Sequence, residues 1–148
     1  MDVGQASGGP GLMGTNYYLH SQQCPHCGIA LEDEMHLGKS STGWCFSLHV
    51  YLELELNDWE DMWQYICFCV EEDGHHLENE YGEIISLEQF FSIVWDRHAQ
   101  QPHDAEWLRK NHARPGPFGL ARHIFDGQHC IGNAGLNAPI DYFIGEFS

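Results

Sequence analysis

Cys24-Pro25-His26-Cys27-Gly28 brings two thiols into one tight turn. As thiolates at C-x-x-C spacing they suit either a structural zinc ion or a redox dithiol. Pro25 presets a turn dihedral, and Gly28 accepts the positive φ that closes the turn. A tetrahedral zinc needs two further ligands, and His36, Cys45 and His49 follow downstream. The expected set is Cys24, Cys27, His36 and His49, with Cys45 in place of one histidine as the alternative. Four protein ligands make a site structural, because a catalytic zinc keeps an open position. A redox dithiol calls for a strand–C-x-x-C–helix context, which the flanking residues do not offer.

The elements that must position these ligands read as follows. Asn16 to His20 is aromatic and β-prone, and Met35 to Leu37 reads as a second strand. Trp44 to Leu56 alternates, with Trp44, Phe46, Leu48, Val50 and Leu52 on one face and Cys45, Ser47, His49, Tyr51 and Glu53 on the other. A hairpin around 40–43, with Lys39 facing Trp44 and His36 across from Ser47, would turn His36, Cys45 and His49 to one side. A slip of one residue would undo that arrangement. Asn57 or Asp58 caps a helix carrying Trp59, Met62, Trp63, Ile66 and Val70 at helical spacing, ended by Asp73-Gly74. Within it, Cys67 and Cys69 are expected to pack as small hydrophobes. A turn at 80–83 leads to a second helix opened by the capping box Ser86-Leu-Glu-Gln, with the stripe Leu87, Phe90, Phe91, Val94 and Trp95. A short helix is expected around Asp104 to Lys110, and a late strand at Ile140 to Ile144. The fold class is α+β: a small antiparallel sheet pinned by the zinc knuckle and packed on two amphipathic helices. Residues 1–13 read as a flexible Gly-rich leader, with Met13 as a candidate start, and 14–148 as one domain.

Other chemistry is weaker. Gly38-Lys39-Ser40 resembles the end of a P-loop, but Asp33 stands where its first glycine belongs. The remaining histidines form no helical ligand pair; the nearest to a second site is His123 with His129 and Cys130. No nucleophile elbow or marked acid/base pair is present.

The chain carries 22 acids against 6 Lys and Arg, a formal charge of −16. Residues 53–83 hold eleven acids and no Lys or Arg, whereas five of the six bases lie between Arg97 and Arg122. Such a surface disfavours direct nucleic-acid binding, which relies on Lys and Arg at phosphates. It suits a partner protein with a basic surface, for which Asp58, Asp61, Glu71 and Glu72 are the candidate contacts. No apolar run approaches the ~20 residues of a membrane span. No secretory signal is evident, so reduced thiols in a cytoplasm are expected.

Several strings together resemble a family of small proteins of tailed bacteriophages and prophages. They are Gly14-Thr15-Asn16-Tyr17-Tyr18, the Cys-Pro-x-Cys-Gly knuckle, His36-Leu37-Gly38-Lys39-Ser40-Ser41, Gly43-Trp44, Phe46-Ser47-Leu48-His49, the Tyr-Gly at Tyr81, and Gly145-Glu146-Phe147-Ser148. The glycine-rich leader and the 99–119 stretch depart from it. The resemblance implies a phage context, hence the cytoplasm of a bacterial host, and no particular reaction. The expected function is a zinc-stabilised accessory protein that binds and modulates a host protein, as an acidic inhibitor of a nucleic-acid-processing or defence system would. A metal-dependent hydrolase or nuclease, and a virion structural or assembly component, are the alternatives.

Overall fold

The computed structural model describes residues 14–21 and 34–147. The leader and the knuckle cysteines Cys24 and Cys27 lie outside the described residues. The described strands are β1 (Gly14–His20), β2 (Met35–Ser41), β3 (Phe46–His49), β4 (His76–Asn79), β5 (Ile84–Ile85), β6 (Ala113–Pro115), β7 (Ala121–His123), β8 (Cys130–Asn133) and β9 (Ile140–Phe143). Among the described residues the α-helices are α1 (Trp59–Glu72), α2 (Leu87–Trp95) and α3 (Ala105–Lys110).

Seven strands form one sheet in the order β5-β4-β1-β2-β3-β9-β8, while β6 and β7 pair separately. The pairs of the large sheet are antiparallel except β3 with β9, which run parallel. The class is therefore α+β, with more strands than the sequence pattern alone suggests. Tyr17, Leu19, Leu37, Phe46, Leu48 and Val50 pack with Met62 and Ile66 of α1 and Phe90 and Val94 of α2 in one buried cluster. Burying each such large side chain contributes about 1.5–3 kcal/mol, so this cluster fixes which way the sheet faces. Between the helices, Trp59 stacks on Trp63 at 5.3 Å and meets Trp95 edge-on at 5.9 Å.

Local signals set the helix ends. Asp58 caps α1 by accepting from the Asp61 amide at 2.9 Å, and Asp61 Oδ2 accepts from the Asn57 amide at 3.0 Å. Ser86 and Gln89 make the reciprocal capping box of α2, and Asp104 caps α3. Cys69 is buried in α1 and Cys67 half-buried, in line with packing roles. Arg97, just past α2, donates to Ser40 Oγ, Ser41 O, Trp44 O and Ile93 O at 2.7–3.1 Å. It thereby ties the β2–β3 turn to the helical layer.

Two expectations about the β2–β3 region need correction. The alternating stretch is strand only over Phe46–His49; it then tightens into a 3₁₀ turn at Leu52–Leu54, closed by Tyr51 and Leu56 hydrogen-bonding each other's backbone. Leu52 and Leu54 are consequently exposed. The pairing register also differs: Lys39 faces Ser47 and Gly38 faces Leu48. By that register alone His36 would fall opposite Val50, on the core side. A bulge prevents this. Tyr17 of β1 pairs with Gly38 but the next residue, Tyr18, pairs with His36, so Leu37 is extra. Leu37 drops into the core and His36 is re-aimed to the opposite face, the re-aiming that bulges bring about. Gly38 makes the bulge feasible: its φ is +153°, and a Cβ there would lie 2.6 and 2.8 Å from two Phe46 ring carbons and closer still to the Ser47 carbonyl.

Candidate metal centre

The sheet face turned away from α1 and α2 carries the polar residues. On it His36 (β2) and His49 (β3) meet, Nδ1 to Nδ1, at 3.0 Å. A hydrogen-bond chain settles the tautomer of His36. Glu80 Oε1 accepts from the Asn16 backbone amide at 2.6 Å and from Asn16 Nδ2 at 3.2 Å. Asn16 Oδ1 is thereby left to accept from His36 Nε2–H at 2.8 Å. His36 Nδ1 then presents a lone pair that accepts from His49 Nδ1–H across the 3.0 Å contact; a metal held by both nitrogens would require His49 to carry its proton on Nε2 instead. Tyr51 donates its hydroxyl proton to the His36 carbonyl at 2.6 Å, while its ring stacks on His49 at 4.2 Å. Phe147 covers both imidazoles, with ring centroids 4.8 Å from His36 and 5.1 Å from His49. Burial, reinforced by His36, holds His49 down at about 4, and burial also lowers His36. Both rings are thus neutral at pH 7, the state that ligates metal.

This pair fits a zinc dyad. Two nitrogens bonded tetrahedrally at 2.0–2.1 Å stand ~3.3 Å apart, close to the spacing seen here. The Nε2–H to Asn16 bond is the outer-shell support that metal-ligating histidines usually have. A cleft of about 640 Å³ adjoins the pair, lined by Tyr18, Glu34, His36, His49, Glu146 and Phe147. Glu34, one of these lining residues, opens the described stretch 34–147.

Cys45 stands apart from the histidine pair. Four residues from His49 along extended chain is about 13 Å. Its thiol is buried and pushed up to about 11 by that burial and by Asp141, with Arg122 opposing. His123, His129 and Cys130 do not converge either. His123 Nδ1 lies 3.2 Å from Asp141, His129 lies 3.4 Å from Asp126, and Cys130 is buried with its thiol raised to about 12.

The acidic candidates fall at the two ends of α1. Asp58 and Asp61 sit in the cap, and Glu71 and Glu72 in the last turn, about 20 Å away at 1.5 Å per residue. Between them the outward stripe carries Tyr65 and Phe68, exposed at 36% and 56%. The last turn of α1 holds no basic residue.

Three arrangements have no signal in the sequence. Asp141, fully buried, forms an ion pair at 2.9 Å with the buried Arg122 and accepts from the His123 amide, also at 2.9 Å. Arg122 further donates to the carbonyls of Ala138 and Gly135. His20, His76 and Glu78 gather on neighbouring strands, as do Cys69, Asp73 and His75 at the end of α1; in each trio the ligand atoms lie within 4.8 Å of one another. Among the described residues no helix is long and apolar enough to cross a membrane. Comparison of the chain with protein-family models, curated proteins and solved structures finds no match.

Proposed function

We propose that this chain is a zinc-stabilised binding protein that captures a basic surface of a partner protein through the outward face of α1. The observation that carries the reading is that face: exposed Phe68 beside Tyr65, rimmed by Asp61, Glu71 and Glu72. An apolar patch with a charged rim is the usual composition of an interaction surface. Two carboxylates in the last turn oppose the helix dipole, at a cost of about 0.3–1 kcal/mol each. A cationic partner relieves that cost, and its Lys and Arg are recognised by the same charges.

In this reading zinc on Cys24, Cys27, His36 and His49 is structural. It supplies folding free energy by joining segment 22–33 to the sheet, and four protein ligands leave no position for substrate. The resemblance to phage and prophage proteins makes the partner a host protein and the site of action the bacterial cytoplasm. Modulation of a nucleic-acid-binding protein follows, because its basic surface is what an acidic face would mask.

The test uses the immobilised full-length protein and lysate of the bacterial host, with wild type compared against Phe68→Ala/Glu71→Lys/Glu72→Lys. Asp58 and Asp61 are left intact, since they cap α1 and their loss would cost ~1 kcal/mol of helix stability. Wild type should retain a basic partner in a salt-sensitive manner, and the triple variant should lose it while melting normally. Equal capture by both proteins would remove α1 from the interface.

A further inference from the structure

We propose that His20, His76 and Glu78 form a second metal site, for a divalent transition ion such as Zn²⁺, Co²⁺ or Ni²⁺. It shares no ligand with the His36–His49 centre. His20 ends β1 and His76 opens β4, and the two are direct cross-strand partners, so their side chains share a face. Their rings stack at 5.4 Å with an interplanar angle of 16°. Glu78 lies two residues along β4 and so points the same way. Its carboxylate is shared: Oε2 bonds His76 Nε2, and Oε1 lies 3.7 Å from His20 Nε2. Both imidazoles therefore turn the same nitrogen toward one carboxylate. Glu34, from the chain leading into β2, adds a second carboxylate 3.1 Å from His20 Nε2.

The geometry suits an ion. Ligands bonded at 2.0–2.2 Å in a tetrahedron stand roughly 3.3–3.6 Å apart, so the three donors need only small side-chain rotations. Side-chain exposures of 25%, 29% and 21% for His20, His76 and Glu78 leave them oriented yet reachable. Imidazole nitrogens select first-row transition metals over Mg²⁺ and Ca²⁺. With Glu34 the site has four protein ligands; without it a position stays open to water. The second trio carries no such argument: His75 and Asp73 donate their backbone amides to the Cys69 carbonyl in the turn that ends α1, and that turn accounts for their proximity.

The experiment is a Co²⁺ titration of the untagged full-length protein as purified, followed by absorption and calorimetry. The site predicts one binding phase without the thiolate-to-cobalt charge-transfer band that a cysteine-ligated centre gives. His76→Ala and the near-isosteric Glu78→Gln should each weaken that phase at least tenfold, while His75→Ala leaves it unchanged. Circular dichroism in EDTA verifies that the variants are folded. Absence of a thiolate-free phase in wild type, or a phase indifferent to both His76 and Glu78, overturns the proposal. Neither result bears on the cysteine-containing centre, whose band is read separately.

Discussion

Gly38→Ala is the substitution on which the described site depends most sharply. Gly38 sits at φ +153° within the bulge that turns His36 toward His49. An alanine Cβ would press on two Phe46 ring carbons at 2.6 and 2.8 Å and on the Ser47 carbonyl, none of which is the free end of a flexible chain. Phe46 is fully buried, so its ring has nowhere to retreat. A φ in this range costs an L-residue about 1–3 kcal/mol. Overpacking the core adds about 1–3 kcal/mol. The expected loss of about 2–6 kcal/mol corresponds to a fall in Tm of roughly 6–24 °C for a chain of this size. Relief of the clash by straightening β2 would return His36 to the core side, so metal content should fall with stability. Gly82→Ala is the control: Gly82 has φ +81°, but a methyl group added there meets no atom within 4 Å, so it carries the backbone cost of ~1–2 kcal/mol alone. Thermal melts by circular dichroism and metal analysis of the three proteins make the comparison. If Gly38→Ala melts with Gly82→Ala and keeps its metal, the bulge does not position His36.

Two further outcomes follow from the electrostatics. Asp141→Asn leaves the Arg122 guanidinium buried without its carboxylate, so urea denaturation should register a loss of about 3–5 kcal/mol; a loss under ~1 kcal/mol would contradict the ion pair. The amides of His129 and Gln128 hold the Asp126 carboxyl down at about 2, below its usual value of 3.8. Its folded form binds fewer protons than its unfolded form between those values. The stability it contributes is therefore present above about pH 4 and is lost as pH falls toward 2. Wild type should melt above Asp126→Asn at pH 6, with the gap closing by pH 2; a gap unchanged with pH would rule out the carboxylate's role.

The parts of this fold that are legible in the sequence are those set by neighbours in the chain. The Ser86–Gln89 capping box, the Asp104 cap, the apolar stripes of α1 and α2 and the inward set Phe46, Leu48 and Val50 all follow from local chemistry. What is not legible depends on distant pairing. The parallel β3–β9 contact joins residues almost a hundred positions apart, and the His20–His76 pair joins strands on either side of β2, β3 and α1. Residue type alone pairs His36 with His49, and they do meet, though through a different register and a bulge that strict alternation cannot foresee. Gly38 is the available clue, since a glycine inside a strand pattern often marks a bulge. The acids of α1 are visible as a charge run, whereas their division between the helix cap and the last turn requires the helix ends.

The measurement that tests the central claim most directly is X-ray absorption at the zinc edge of untagged full-length protein carrying one zinc per chain. A zinc on Cys24, Cys27, His36 and His49 should show two sulfur ligands at ~2.3 Å and two imidazole nitrogens at ~2.0–2.1 Å. The same protein with His49→Ala should lose one nitrogen or the metal altogether. A sulfur-free shell, four sulfurs, or a spectrum unaltered by His49→Ala would contradict the account.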